Sequence, residues 1–167
     1  MILKLTNANT YLNGQTLIGK VEEVNLPDIK PKEVSYKPLG MQSEISLPSG
    51  FEKMEAKIKF NALYTKEYLQ LCNVHNVNVF TIRGNQESYN NTGRTSDNSY
   101  ICTIGGMVKV IPLGKFTQNE MTGIEISLNI HNLSVKLGED SIITIDVMSN
   151  LYKVGDLDLL EGFKKYT

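Results

Sequence analysis

Apolar and polar residues alternate with a period of two along much of this chain, the mark of strands that bury one face and expose the other. Met54, Ala56, Ile58 and Phe60 alternate with Glu55, Lys57 and Lys59; Ile124, Ile126, Leu128 and Ile130 alternate with Glu125, Ser127 and Asn129; Ile143, Ile145 and Val147 alternate with Thr144 and Asp146. The pattern predicts half-exposed strands of an antiparallel sheet. Further strands are predicted over 16–24, 77–83 and 100–111, the last with a bulge or bend at Gly105-Gly106. Asn13-Gly14 predicts a tight hairpin turn, because both residues tolerate positive φ. One helix interrupts the strands: Thr65 is a candidate N-cap, and Tyr68, Leu69, Leu71 and Cys72 form its apolar stripe. A second short helix is predicted near Asp158, where Leu159, Leu160 and Phe163 would dock and Lys164 and Lys165 suit the negative end of the helix dipole.

Two segments break the alternation. Residues 26–51 carry Pro27, Pro31, Pro38 and Pro48 with Gly40 and Gly50, yet include the alternating set Met41, Ser43, Ile45 and Leu47. Prolines confine such a segment to edge or extended positions. It reads either as a long surface hairpin or as an arm, around residues 27–51, that reaches a neighbouring subunit. Residues 84–99, GNQESYNNTGRTSDNS, are polar and Asn-rich and predict a mobile exposed loop. With no repeat and no composition break, residues 1–167 read as one domain.

Composition narrows the function classes. Hydrophobic residues make up 41% of the chain, enough for a core. No stretch approaches the roughly 20 apolar residues that cross a bilayer, and the N-terminal residues lack the pattern of a signal peptide, so synthesis in the cytoplasm is expected. Seventeen basic residues balance eighteen acidic ones, and the lysines are interspersed with glutamates. Proteins that grip nucleic acid concentrate positive charge on one face, so any DNA this protein meets should slide past rather than bind. Two cysteines, Cys72 and Cys102, are too few for a disulfide framework and predict buried, reduced thiols.

Candidate chemistry is sparse. Cys72 and His75 are three residues apart, but the only further ligands of their kind, Cys102 and His131, stand singly, whereas structural zinc takes four. His131 has no nucleophile or paired carboxylate motif beside it, and Gly105-Gly106 lacks the spacing of a dinucleotide loop. The expectation is no catalysis, no metal and no cofactor.

A resemblance is then carried by YLNGQTLIGKVEEVNLPDIK and LGMQSEISLPSGFEKMEAKIKFNALY, through Tyr11, Leu12, Gly14, Gly19, Glu22, Glu23, Leu26, Pro27, Gly40, Met41, Leu47, Pro48, Gly50, Lys53, Met54 and Glu55. It continues through Arg83-Gly84, the IPLGKF run from Ile111 to Phe116, and IDVMSNLYKVGDLDLL with Ile145, Asp146, Val147, Tyr152, Lys153 and Val154. In this order the motifs resemble the major tail tube proteins of contractile-tailed phages over nearly the whole chain.

The resemblance implies a mainly β fold, with two packed antiparallel sheets forming a sandwich or barrel and one flanking helix, as in the type VI secretion tube. It implies a structural subunit, not an enzyme, that forms hexameric rings stacked into a tube. The implied partners are further copies of itself, the tail sheath protein, the tape-measure protein, and the tube initiator or baseplate and terminator proteins. The implied location is the tail of a virion or tail-like particle, with DNA passing through the bore. Pro38, Gly40, Met41, Ile45, Leu47 and Pro48 are the candidate arm contacts; Glu55, Lys57, Lys59 and Glu125 are the candidates for the bore wall. A secreted type VI-like tube that carries effectors is the alternative.

Overall fold

Strand pairing turns the period-two segments into a forked antiparallel sheet. The computed structural model describes residues 2–120 and 123–166. In chain order its elements are β1 (Ile2–Leu12), β2 (Gln15–Thr16), β3 (Val21–Asn25), β4 (Pro31–Tyr36), β5 (Ile45–Phe51), β6 (Met54–Phe60) and α1 (Thr65–Leu71). There follow β7 (Asn78–Asn90), β8 (Gly93–Val110), β9 (Ile124–Leu137), β10 (Asp140–Asp146), β11 (Leu151–Val154), β12 (Leu157–Asp158) and α2 (Glu161–Tyr166). The main sheet runs β12-β11-β10-β9-β8-β7-β1-β2, with β6 on β9 and β3 on β6; β4 and β5 form a separate two-stranded ribbon.

The fork arises from one extra residue. On the side facing β8, Ile130 pairs with Gly106 and Asn132 with Gly105, so His131 is left over. Ahead of this bulge the buried positions of β9 are Ile124, Ile126, Leu128 and Ile130; after it the buried position is Leu133. A one-residue insertion exchanges the two faces of a strand. On its other edge β9 pairs first with β6 and then, past the bulge, with β10. Two leaves result, and the apolar faces of both belong to one core built around Ala56, Ile58, Phe80, Cys102, Ile104 and Leu128.

The turns follow local chemistry. Asn13 and Gly14 take φ of 48° and 84° between β1 and β2, as an Asn-Gly hairpin requires. The strand expected over 16–24 is divided by a turn at Gly19, φ 74°, which sends Leu17, 1% exposed, into the core.

Four expectations are corrected. Residues 84–99 are not a loop: β7 and β8 stay paired from Asn78↔Gly106 to Asn90↔Gly93, and only Asn91 and Thr92 turn. β1, which shows no clear alternation, pairs along β7 from Leu12↔Phe80 to Ile2↔Tyr89 and satisfies the polar strand's other edge. Polar cross-strand pairs replace an apolar face here: buried Ser88 bonds Thr95 and Ser96, and Arg94 bridges Glu87 and Asp97. Second, α1 begins at Thr65 but its N-cap position is Tyr64, with no side-chain cap. Third, Leu71 alone of the α1 stripe is fully buried and Leu69 is exposed; Cys72 is exposed where a buried thiol was expected, because the helix ends as it reaches that residue. Fourth, α2 forms, but Leu159 and Phe163 stay more than half exposed; Lys164 is held instead by Asp158 at 3.0 Å.

Candidate functional site

The arm residues come together. β4 and β5 prolong the β3–β6 hairpin beyond the end of the sheet, joined to it by Glu52 N–H donating to the Lys30 carbonyl at 2.8 Å. Every residue of both strands is exposed. A two-stranded ribbon has only edges, so Pro31 and Pro48 remove no needed pairing. Tyr36 pairs with Ile45 and Val34 with Leu47, which sets these four side chains on one face. They remain 40–56% exposed. Pro38 and Gly40 shape the tip: the Pro38 carbonyl accepts from Met41 N–H at 3.2 Å, and Gly40 takes a φ of 90°. Sequence reasoning missed Val34 and Tyr36; their own i,i+2 spacing held the signal. The base of the arm is anchored by Phe51, whose ring stacks on Tyr152 at 4.6 Å and 7°.

Glu55, Lys57, Lys59 and Glu125 also share a surface. They lie on the outward face of the leaf β3-β6-β9-β8, opposite the buried Met54, Ala56, Ile58 and Phe60. Ion pairs tie them together: Lys57 to Glu125 at 3.2 Å, Lys59 to Glu22 at 2.9 Å, and Glu55 to both Lys53 and Lys109 at 2.7 Å. Hydrogen bonds from Lys109 and Lys53 hold the Glu55 carboxyl down to about 2. Lys109 was not singled out from sequence, and Glu22 and Lys53 were named there only as residues that carry the family resemblance, not as part of this face. Glu22 escapes the alternation because it is the unpaired residue of a bulge in β3, between Val21↔Phe60 and Glu23↔Lys59.

This leaf has two open edges. Among the described residues β3 has β6 on one side and no strand on the other, while β8 beyond Gly106 has β9 on one side and no longer meets β7.

A third feature is a cleft of about 790 Å³ where the arm root meets β10, β11 and α2. Met54, Phe51, Ile130, Ile145, Tyr152 and Leu160 give it a mainly apolar lining.

The residues weighed for chemistry do not converge. Cys72 follows α1, Cys102 is buried in β8, and His131 occupies the bulge of β9. Among the described residues no group of three or more His, Cys, Asp or Glu comes together. Burial pushes the Cys102 thiol up to about 11, which keeps it protonated and unreactive.

Comparison with known proteins gives a consistent match. The family profile described as phage tail tube protein FII matches residues 3–166. Among solved structures, a chain of the sheath-tube complex of an extracellular contractile injection system, PVC, in the extended state, superposes with a TM-score of 0.57 at 14% identity, covering 77% of this chain and 87% of that one. A chain of the sheath/tube terminator of the PVC system, also extended, gives 0.54 at 12% identity, covering 77% and 92%. No curated protein matches the sequence.

Proposed function

Because the chain belongs to the phage tail tube protein FII family, a family of structural proteins and not enzymes, we propose that it is the inner-tube subunit of a contractile tail or tail-like injection particle. Its hexameric rings stack into a conduit that carries the tape-measure protein during assembly and DNA afterwards.

The observation that carries this reading is the pair of open edges on β3-β6-β9-β8. An open edge is a row of unpaired amide groups, and a protein that leaves two of them invites pairing with copies of itself. The leaf has an even number of antiparallel strands, so β3 of one copy meets β8 of the next in antiparallel sense. A head-to-tail contact of this kind closes into a ring when the rotation allows. The core sides of the leaves then face outward, and the face of Glu55, Lys57, Lys59 and Glu125 lines the bore. There Lys57 and Lys59 are paired with Glu125 and Glu22, and Lys53 and Lys109 share Glu55, which leaves little free positive charge for phosphate to condense on.

The arm supplies the axial contact through Met41, Ile45 and Leu47, with Pro38, Gly40 and Pro48 setting its shape. The whole chain serves as one tube domain with this arm attached. A sheath protein and a terminator are the expected partners, since the similar solved chains come from sheath-tube and sheath/tube terminator assemblies; a growing tube also needs an initiator at the baseplate. The protein is made in the host cytoplasm and ends in the tail.

Negative-stain microscopy of the purified chain tests this. Rings, and tubes with a central hole at high concentration, are expected, with a melting temperature that rises with concentration. A strict monomer with a concentration-independent melting temperature would overturn it.

A further inference from the structure

We propose that the cleft beside Tyr152 is the socket for Leu113 and Phe116 of a copy in the adjacent ring, an inference that rests on the stacked-ring reading above.

Strand direction places the two features. In the leaf, Met54 pairs with Ile130 at one end and Phe60 with Ile124 at the other. At about 3.3 Å per residue the ends lie roughly 20 Å apart. The arm leaves from the Met54–Ile130 end, and the cleft, lined by both of these residues, lies there too. β8 runs the opposite way, from Gly106 opposite Ile130 towards Val110 opposite Ser127, and so delivers residues 111–117 to the far end. Translation along a tube axis brings the Met54 end of one ring against the Ile124 end of the next.

The chemistry of the two surfaces is complementary. Residues 111–117 form no helix or strand. Leu113 is 78% exposed and Phe116 is 105% exposed, the largest exposure of any aromatic side chain among the described residues. Gly114, at φ 86°, takes a backbone conformation between them that L side chains rarely adopt, so a glycine sets the path of the chain that presents the two apolar groups. Neither is covered by the described residues of its own subunit. The cleft offers apolar lining on the surface that meets them and a volume of about 790 Å³, larger than a leucine and a phenylalanine side chain together. Exposed apolar patches facing an apolar recess are the usual signature of an interface core.

The test uses the full chain in a Cys72→Ser background, because Cys72 is exposed. With Phe116→Cys and Leu160→Cys together, a flexible bismaleimide should link subunits into ladders in assembled tubes and leave isolated rings unlinked. Leu113→Ser with Phe116→Ser should keep ring formation and raise the protein concentration needed for tubes at least tenfold. Tubes that form normally from the serine variant, or tubes that show no ladder, overturn the socket while leaving the tube reading intact. A link within single subunits assigns the cleft to the chain's own segment and also overturns it. A wild-type chain that makes neither rings nor tubes sinks the stacking reading itself. Should the serine variant melt early, the cross-link alone decides.

Discussion

A Cβ placed on Gly106 would lie 2.2 Å from the backbone carbonyl oxygen of Asn129, so β8 and β9 approach at the bulge as only glycine permits. The same bulge lets one strand serve both leaves. Neighbouring Gly105 is different: its Cβ would meet the Asn132 Cβ at 3.4 Å, a contact a small shift relieves. Gly106→Ala is therefore expected to destabilise by at least ~2 kcal/mol, as overpacking against backbone does, and Gly105→Ala by clearly less. At about 2–4 °C per kcal/mol for a chain of this size the difference is visible in thermal melts. Equal melting temperatures for the two variants would refute the role given to Gly106.

Lys20 and Glu67 join the turn after Leu17 to α1. The Glu67 side chain is 9% exposed and that of Lys20 32%; Lys20 also lies 4.9 Å from the centre of the Tyr64 ring. The hydrogen bond from Lys20 holds the Glu67 carboxyl below its ordinary range. A carboxyl whose folded-state pKa is depressed adds stability above its unfolded pKa and loses it as pH falls through the folded one. Glu67→Gln should cost about 1–3 kcal/mol at neutral pH, less than a fully buried pair because Lys20 reaches water. The gap between wild type and variant should narrow as pH drops below the ordinary glutamate range. A gap that widens in acid would contradict the pairing.

Replacing Met41, Ile45 and Leu47 together by serine tests the arm. All three are at least 40% exposed in the subunit, so the monomer's stability should change by no more than about 0.5 kcal/mol per site. Rings should form and tubes should not. Unfolding of the triple variant would place these residues in the subunit's own core.

Legibility followed burial. Met54 to Phe60 and Ile124 to Ile130 were readable because each strand has one face in the core and one outside, which writes a period of two into the sequence. β1 and the distal part of β7 and β8 were not. Ser88, Arg94, Thr95 and Ser96 pair through polar side chains, so composition resembles a loop while the backbone forms a ladder. The arm was readable from its prolines; Val34 and Tyr36 carry the i,i+2 spacing of a strand face, but it is the pairing of Val34 with Leu47 and Tyr36 with Ile45 that joins them to the arm's apolar face. Glu22 and Lys109 joined the polar face for the same reason: their partners, Lys59 and Glu55, lie 37 and 54 positions away in the chain.

Glu55 carries the last prediction, because it alone holds both Lys53 and Lys109. Its carboxyl, held down to about 2, stays ionised through the whole neutral and mildly acidic range. Glu55→Gln removes one negative charge and releases two lysines from their partner without touching the apolar face of β6. Exposed ion pairs contribute little to folding, so the melting temperature of the subunit should barely move. The proposed bore, however, would gain cations free to meet phosphate. Tubes of the variant should retain duplex DNA at low salt and release it as salt rises, whereas wild-type tubes should retain little at either; counterion release gives such binding its steep salt dependence. Co-sedimentation of assembled tubes with labelled DNA across a salt series measures this. Indistinguishable retention by the two would remove Glu55 from the bore or show that ion pairing does not govern passage.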